Sequence, residues 1–206
     1  PESNGKVVEM TYKPTGRNCL RAYLNNLRFG TFEEWEASSV DENAPLPAWT
    51  VERVPGGLVL RKVDADGGLH ERRVTLDGDV VRCRTTLGNQ GRRPRAWRLV
   101  VHPEWNVGTD SRDTTDLVAC VRVGGRWRTF NRDLQADRGP DAALLGEGLG
   151  GGAMGWYNRR EAFGLQLRYD PRPLQRLRTW WVSGYRQLNL ELELAPTTLR
   201  PGRTVV

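Results

Sequence analysis

Apolar residues recur at every second position in short runs along this chain, and Gly, Pro, Asn or Asp closes nearly every run. A period of two with frequent turn residues puts alternate side chains on opposite faces of antiparallel strands; almost nothing repeats at the helical period. Residues 6–12 alternate and end on Lys13-Pro14-Thr15-Gly16. Segments 49–54 and 58–63 flank Pro55-Gly56-Gly57, where glycine accepts a positive φ without strain. Segments 69–76 and 80–87 are joined through Asp77-Gly78, and 118–123 and 126–130 through Gly124-Gly125. Later strands are expected at 163–169, 179–183 and 187–194. The sum is an all-β fold, a large antiparallel β-sandwich.

At 206 residues, with 38% hydrophobic and 8% aromatic residues, one core suffices, so residues 1–206 read as a single sandwich domain. The chain opens at Pro1 without a methionine or a leader pattern, as expected of a piece excised from a longer protein. No apolar run approaches the length of a bilayer span. No compartment is indicated.

The net charge of +6 raises the question of nucleic acid, since clustered Lys and Arg neutralise phosphates. Here the lysines are only Lys6, Lys13 and Lys62, and the arginines are scattered through strands and turns. The densest groups, Arg92-Arg93 with Arg95 and Arg98, and Arg172 with Arg176 and Arg178, are diluted by Pro or apolar residues and read as solvated faces. Nucleic acid is not an expected partner. Cys19, Cys83 and Cys120 are odd in number and widely spaced, without a C-x-x-C motif; Cys83, between Arg82 and Arg84, reads as a buried thiol. Asp110, Asp113 and Asp116 match no metal loop and read as a polar loop. Neither a metal nor a cofactor is implied.

Residues 133–143 are polar and irregular, and 146–155 carry six glycines in ten positions. A phosphate cradle needs a strand before it and a helix after it; here a β pattern follows, so a mobile loop is expected.

Chemistry concentrates where the run Trp97-Arg98-Leu99-Val100-Val101 delivers His102, one of two histidines, into Pro103-Glu104-Trp105. An imidazole, a carboxylate and an indole at one strand end can grip a sugar: the flat ring stacks on C–H groups while the polar groups take hydroxyls and move protons. The other histidine, His70, follows Gly67-Gly68 and reads as an exposed residue at a loop or strand start.

Several segments, taken in order, resemble the galactose mutarotase-like (aldose 1-epimerase-like) β-sandwich superfamily. These are Asn4-Gly5-Lys6-Val7-Val8-Glu9-Met10 with Pro14-Thr15-Gly16-Arg17, then the hairpin around Val74-Thr75-Leu76-Asp77-Gly78-Asp79 with Gly88-Asn89-Gln90-Gly91. Val101-His102-Pro103 stands where the epimerases carry a His-Pro pair, and residues 188–194 with Pro196, Leu199, Arg200, Pro201 and Gly202 resemble the glutamate-bearing strand and closing segment. The resemblance implies His102 as general acid toward a sugar ring oxygen, with Glu191 or Glu193 as the base taking the anomeric hydroxyl proton. Two residues apart on a strand, the glutamates share a face, and periodicity does not choose between them. The pattern departs from the epimerases at 41–48, where their second histidine has no counterpart.

Three readings follow. The first is a carbohydrate-binding or supporting sandwich related to glycoside hydrolase accessory domains. It takes a mono- or oligosaccharide with Trp105 and Trp156 as platforms and Arg17, His102 and Glu104 as polar contacts, and a catalytic domain of the same parent protein is a further partner. The second is a sugar mutarotase using His102 with Glu191 or Glu193. The third is an assembly sandwich that buries its tryptophans against a partner.

Overall fold

The computed structural model describes residues 7, 9–20, 32–36, 48–103, 105, 107, 117–130, 143–145, 151–182 and 187–206. These residues form strands and turns with no helix. In chain order the strands are β1 (Thr11–Tyr12), β2 (Arg17–Asn18), β3 (Phe32–Glu36), β4 (Thr50–Val54), β5 (Gly57–Val63), β6 (Gly68–Asp77), β7 (Val80–Asn89), β8 (Arg95–Trp97) and β9 (Leu99–Pro103). They continue with β10 (Leu117–Val123), β11 (Arg126–Phe130), β12 (Ala143–Leu145), β13 (Ala153–Asn158), β14 (Phe163–Arg168), β15 (Leu174–Val182), β16 (Gln187–Leu194), β17 (Thr197–Leu199) and β18 (Thr204–Val205). All the pairings are antiparallel, as the period of two requires.

The contacts divide into two compact units, one of Pro1–Gly5, Ser38–Arg98 and Pro196–Val206, the other of Lys6–Ala37 and Leu99–Ala195. The first unit holds a five-stranded sheet in the order β18-β7-β6-β5-β4 and the pair β17-β8. Its strand ends are tied by Asn89, which is 2% exposed. The Asn89 amide nitrogen donates to the carbonyls of Arg93 and Leu199, both at 2.8 Å, and its oxygen accepts from the Gly91 N–H at 3.0 Å.

The second unit is a two-layer sandwich. One layer is β12-β15-β16-β9-β3, the other β11-β10-β13-β14. Between them lie Val107, Ala119, Val121, Met154 and Trp156 with Leu174, Leu177, Leu190 and Leu192. The hairpin between β10 and β11 turns on Gly124 (φ 55°) and Gly125 (φ 79°), whose paired positive angles match the twist of the flanking strands. The turn from β14 to β15 is stapled by Asp170, whose carboxylate accepts from the Arg172 side chain at 2.6 Å and from its backbone N–H at 3.0 Å. These two bonds, the side-chain one first, bring the Asp170 carboxyl down to about 2. The staple therefore acts above the ordinary carboxylate range and is lost only as pH falls through about 2.

Two local expectations are corrected. Alternation does place Cys83 on the face of β7 whose partner on β6 is Val74, but the thiol is exposed, because this end of the sheet runs past its core: Val51, Leu58, Leu76 and Val81 on the same face are 60%, 39%, 61% and 39% exposed. The glycine-rich segment becomes strand from Ala153 onward, with Gly155 inside β13. There a Cβ would come within 3.1 Å of the Leu165 carbonyl. Residues 131–142 and 146–150, and with them most of the expected loops, lie outside the described residues.

Asn89→Ala orphans two carbonyls and one N–H at once, each costing about 1–3 kcal/mol when buried. Urea unfolding of this variant is expected to show a loss of about 3 kcal/mol. A loss within error of zero contradicts the role assigned to Asn89.

Candidate functional site

The site is built on β16, where Leu-Glu-Leu-Glu-Leu alternates between two environments. Leu190 and Leu192, 0% and 3% exposed, enter the core. The alternation then forces Glu191 and Glu193 onto the opposite face, where they are nevertheless buried, at 8% and 3%. A carboxylate out of water needs an opposite charge or several donors, and here each has a cationic partner.

For Glu193 that partner is Arg176, whose Nε donates to the glutamate Oε2 from the paired position on β15. For Glu191 it is His102. On β9, Val101 packs against the core while His102 faces the other way, and the register Leu192↔Val101, Glu193↔Val100 brings Glu191 beside it. His102 Nδ1 lies 3.3 Å from Glu191 Oε1, with side-chain exposures of 8% and 10%. The contact is an ion pair when the imidazole is protonated rather than an aligned hydrogen bond. Since a carboxylate only accepts, Glu191 favours a proton on Nδ1.

The row extends across the sheet. Arg178 on β15 is paired with Glu191, and Glu33 on β3 with His102, so Arg178, Glu191, His102 and Glu33 hold register positions in one row over four adjacent strands. Arg176 and Arg178, read from the sequence as a solvated face, instead stand opposite buried glutamates, and Glu33 was not singled out. A signal existed: Arg176-x-Arg178 and Glu191-x-Glu193 are complementary pairs of period two on successive strands.

Other expected contacts are placed differently. Trp156 is 2% exposed within the core, with the Trp105 ring tilted against it at 5.8 Å between centroids. Burial on that scale leaves Trp156 no face for a ligand, so stacking on a sugar falls away for it. Trp105 is half-buried against the same core and pairs with Leu20 through a β-bridge. Arg17 is held inside the second unit by an ion pair with Glu161, a bond to the Val107 carbonyl at 3.1 Å and the Phe163 ring at 4.5 Å. Glu104 lies outside the described residues. His70, expected to be exposed, is 2% exposed on β6, with its ring 5.1 Å from Trp49 and 6.4 Å from Trp97. Among the described residues no cluster of three or more His, Cys, Asp or Glu forms a metal site.

The Glu193 pair carries a stability test. Arg176→Met strands a buried carboxylate and is expected to cost roughly 3 kcal/mol in denaturant unfolding, whereas Arg176→Met with Glu193→Leu recovers most of that loss. A double variant no more stable than the single one contradicts the pairing.

No protein-family model matches the sequence. No curated protein matches it either. Solved structures do. A galactose mutarotase-like protein from Lactobacillus casei ATCC 334 superposes with a TM-score of 0.71 at 11% identity, over 100% of this chain and 92% of that one. A candidate aldose 1-epimerase from Escherichia coli K12 gives 0.58 at 12% identity, over 97% of this chain and 77% of its own. A protein of Synechocystis sp. PCC 6803 gives 0.57 at 14% identity over 76% of this chain, which spans 62% of that protein's length. The expected fold class is thereby met: the chain has the galactose mutarotase-like antiparallel β-sandwich fold.

Proposed function

We propose that the chain is a carbohydrate-binding sandwich of the mutarotase type whose sugar site is the face carrying His102 and Glu191. The observation that carries this reading is the meeting of imidazole and carboxylate at 3.3 Å from two strands far apart in sequence. Buried titratable pairs are costly to the fold and concentrate at functional sites.

The same contact favours a second reading, catalysis of mutarotation, with Glu191 in place of Glu193 as the base. The Glu193 carboxylate is engaged by Arg176, whereas Glu191 is the glutamate whose carboxylate reaches the imidazole. In ring opening, the ring oxygen of a pyranose gains a proton as the anomeric hydroxyl loses one. The C1 to ring-oxygen bond breaks, and an open-chain aldehyde forms. Both oxygens are bonded to C1, so an acid and a base on neighbouring positions of adjacent strands match the scale of the step. After rotation about C1–C2 the reverse transfer closes the other anomer, and the protons balance. A pair that exchanges one proton through a shared contact is suited to both directions.

Binding and turnover are separable in one set of proteins. Titration calorimetry with galactose and glucose is expected to show saturable heat that falls about tenfold in affinity in His102→Ala. Polarimetry on freshly dissolved α-galactose is expected to show accelerated mutarotation, reduced about a hundredfold in His102→Ala and Glu191→Gln. Binding without acceleration leaves the binding reading alone standing. Neither signal, in protein shown to be folded, defeats both.

A further inference from the structure

The outer face of the second layer, β11-β10-β13-β14, has a composition that its fold does not require. Met154 and Trp156 of β13, and Ala119 and Val121 of β10, point into the core, so Tyr157 and Arg122 point outward. Tyr157 is 43% exposed and paired with Gly164 on β14. A Cβ on Gly164 would come within 3.1 Å of Tyr157 Cδ2, so the edge of the phenol ring lies against the glycine while the side chain stays exposed. Trp127, paired with Arg122, is 48% exposed. Arg168 stands on β14 in the row of Ala153.

Among the described residues the charge on this face meets no carboxylate. Arg122 Nε donates to the Gly125 carbonyl at 3.4 Å and Arg168 Nε to Gln166 Oε1 at 3.4 Å. The two arginines stand two strands apart, about 10 Å, with the small Ala153 between them. A flat exposed ring takes the C–H face of a pyranose, and a guanidinium fork takes a carboxylate through two parallel hydrogen bonds. An acidic polysaccharide presents both groups on one repeating chain. A nucleic acid strand fits less well, since two separated arginines do not form the continuous basic track that follows phosphates.

We propose that this face, apart from the His102 site, binds a uronate-bearing oligosaccharide, with Tyr157 and Trp127 as stacking platforms and Arg122 and Arg168 as carboxylate contacts. The test is calorimetry of the full chain with trigalacturonate at low and moderate salt. Affinity is expected to fall about tenfold in Tyr157→Ala and in Trp127→Ala. In Arg122→Gln with Arg168→Gln both the affinity and its salt dependence are expected to fall. Tyr157→Leu, which keeps apolar bulk over Gly164, is expected to lose binding while unfolding at the same denaturant concentration as the parent. Tyr157→Ala is expected to leave the galactose heat unchanged, so failure here and failure of the His102 reading are told apart. The proposal is overturned by absence of binding, by variants that bind as the parent does, by equal affinity for neutral cellotriose, or by a single-stranded oligonucleotide that displaces trigalacturonate at lower concentration.

Discussion

Leucines on one side of β16 fix its glutamates on the other. Leu190 and Leu192 are committed to the core between the two layers of the second unit, and a strand has no freedom to turn one residue without turning its neighbours. A slip by one position would bury two carboxylates among Met154, Trp156 and Leu177 and expel two leucines, which no local gain offsets. The register is therefore held by the apolar face, while the chemistry rides on the other.

That second face is buried as well, and burial makes the placement of charge selective. Each carboxylate retained there stands opposite an arginine of β15, Glu193 opposite Arg176 and Glu191 opposite Arg178, and β9 adds His102 beside Glu191. The two partners differ in kind. A guanidinium stays charged, so Glu193 with Arg176 makes a fixed structural pair. An imidazole can change its protonation state, which is why the proposed site is placed at Glu191 with His102. Two glutamates that periodicity could not tell apart are distinguished by the imidazole beside Glu191.

Much of the fold was legible because strand and turn signals are local. The hairpins at Gly56-Gly57, Asp77-Gly78 and Gly124-Gly125, and the alternation on β14 and β16, follow from residues within a few positions of one another. What was not legible depends on where a sheet meets its core. His70 follows two glycines and looks like a turn residue, yet the Asp64 carboxylate accepts the N–H of Asp66 at 3.0 Å and of Gly68 at 2.8 Å, closing the turn early. The strand begins at Gly68, and His70 enters the space between Trp49 and Trp97. Trp105 and Trp156 were separated by long stretches of sequence, and only the closed sandwich reveals that they pack on each other. Within the site, His102 and the late glutamates came from residue type and resemblance; the choice between the glutamates and the contribution of Arg176 required the strand register.

Imidazole nitrogen-15 resonances test the central claim most directly, because the chain holds only His70 and His102 and each can be assigned by substitution. On addition of saturating galactose or glucose, the His102 nitrogens are predicted to shift, while His70 between its two tryptophans stays unchanged. A His102 spectrum that does not move with sugar, or an Nδ1 that does not respond to Glu191→Gln, contradicts the assignment of this face as the site.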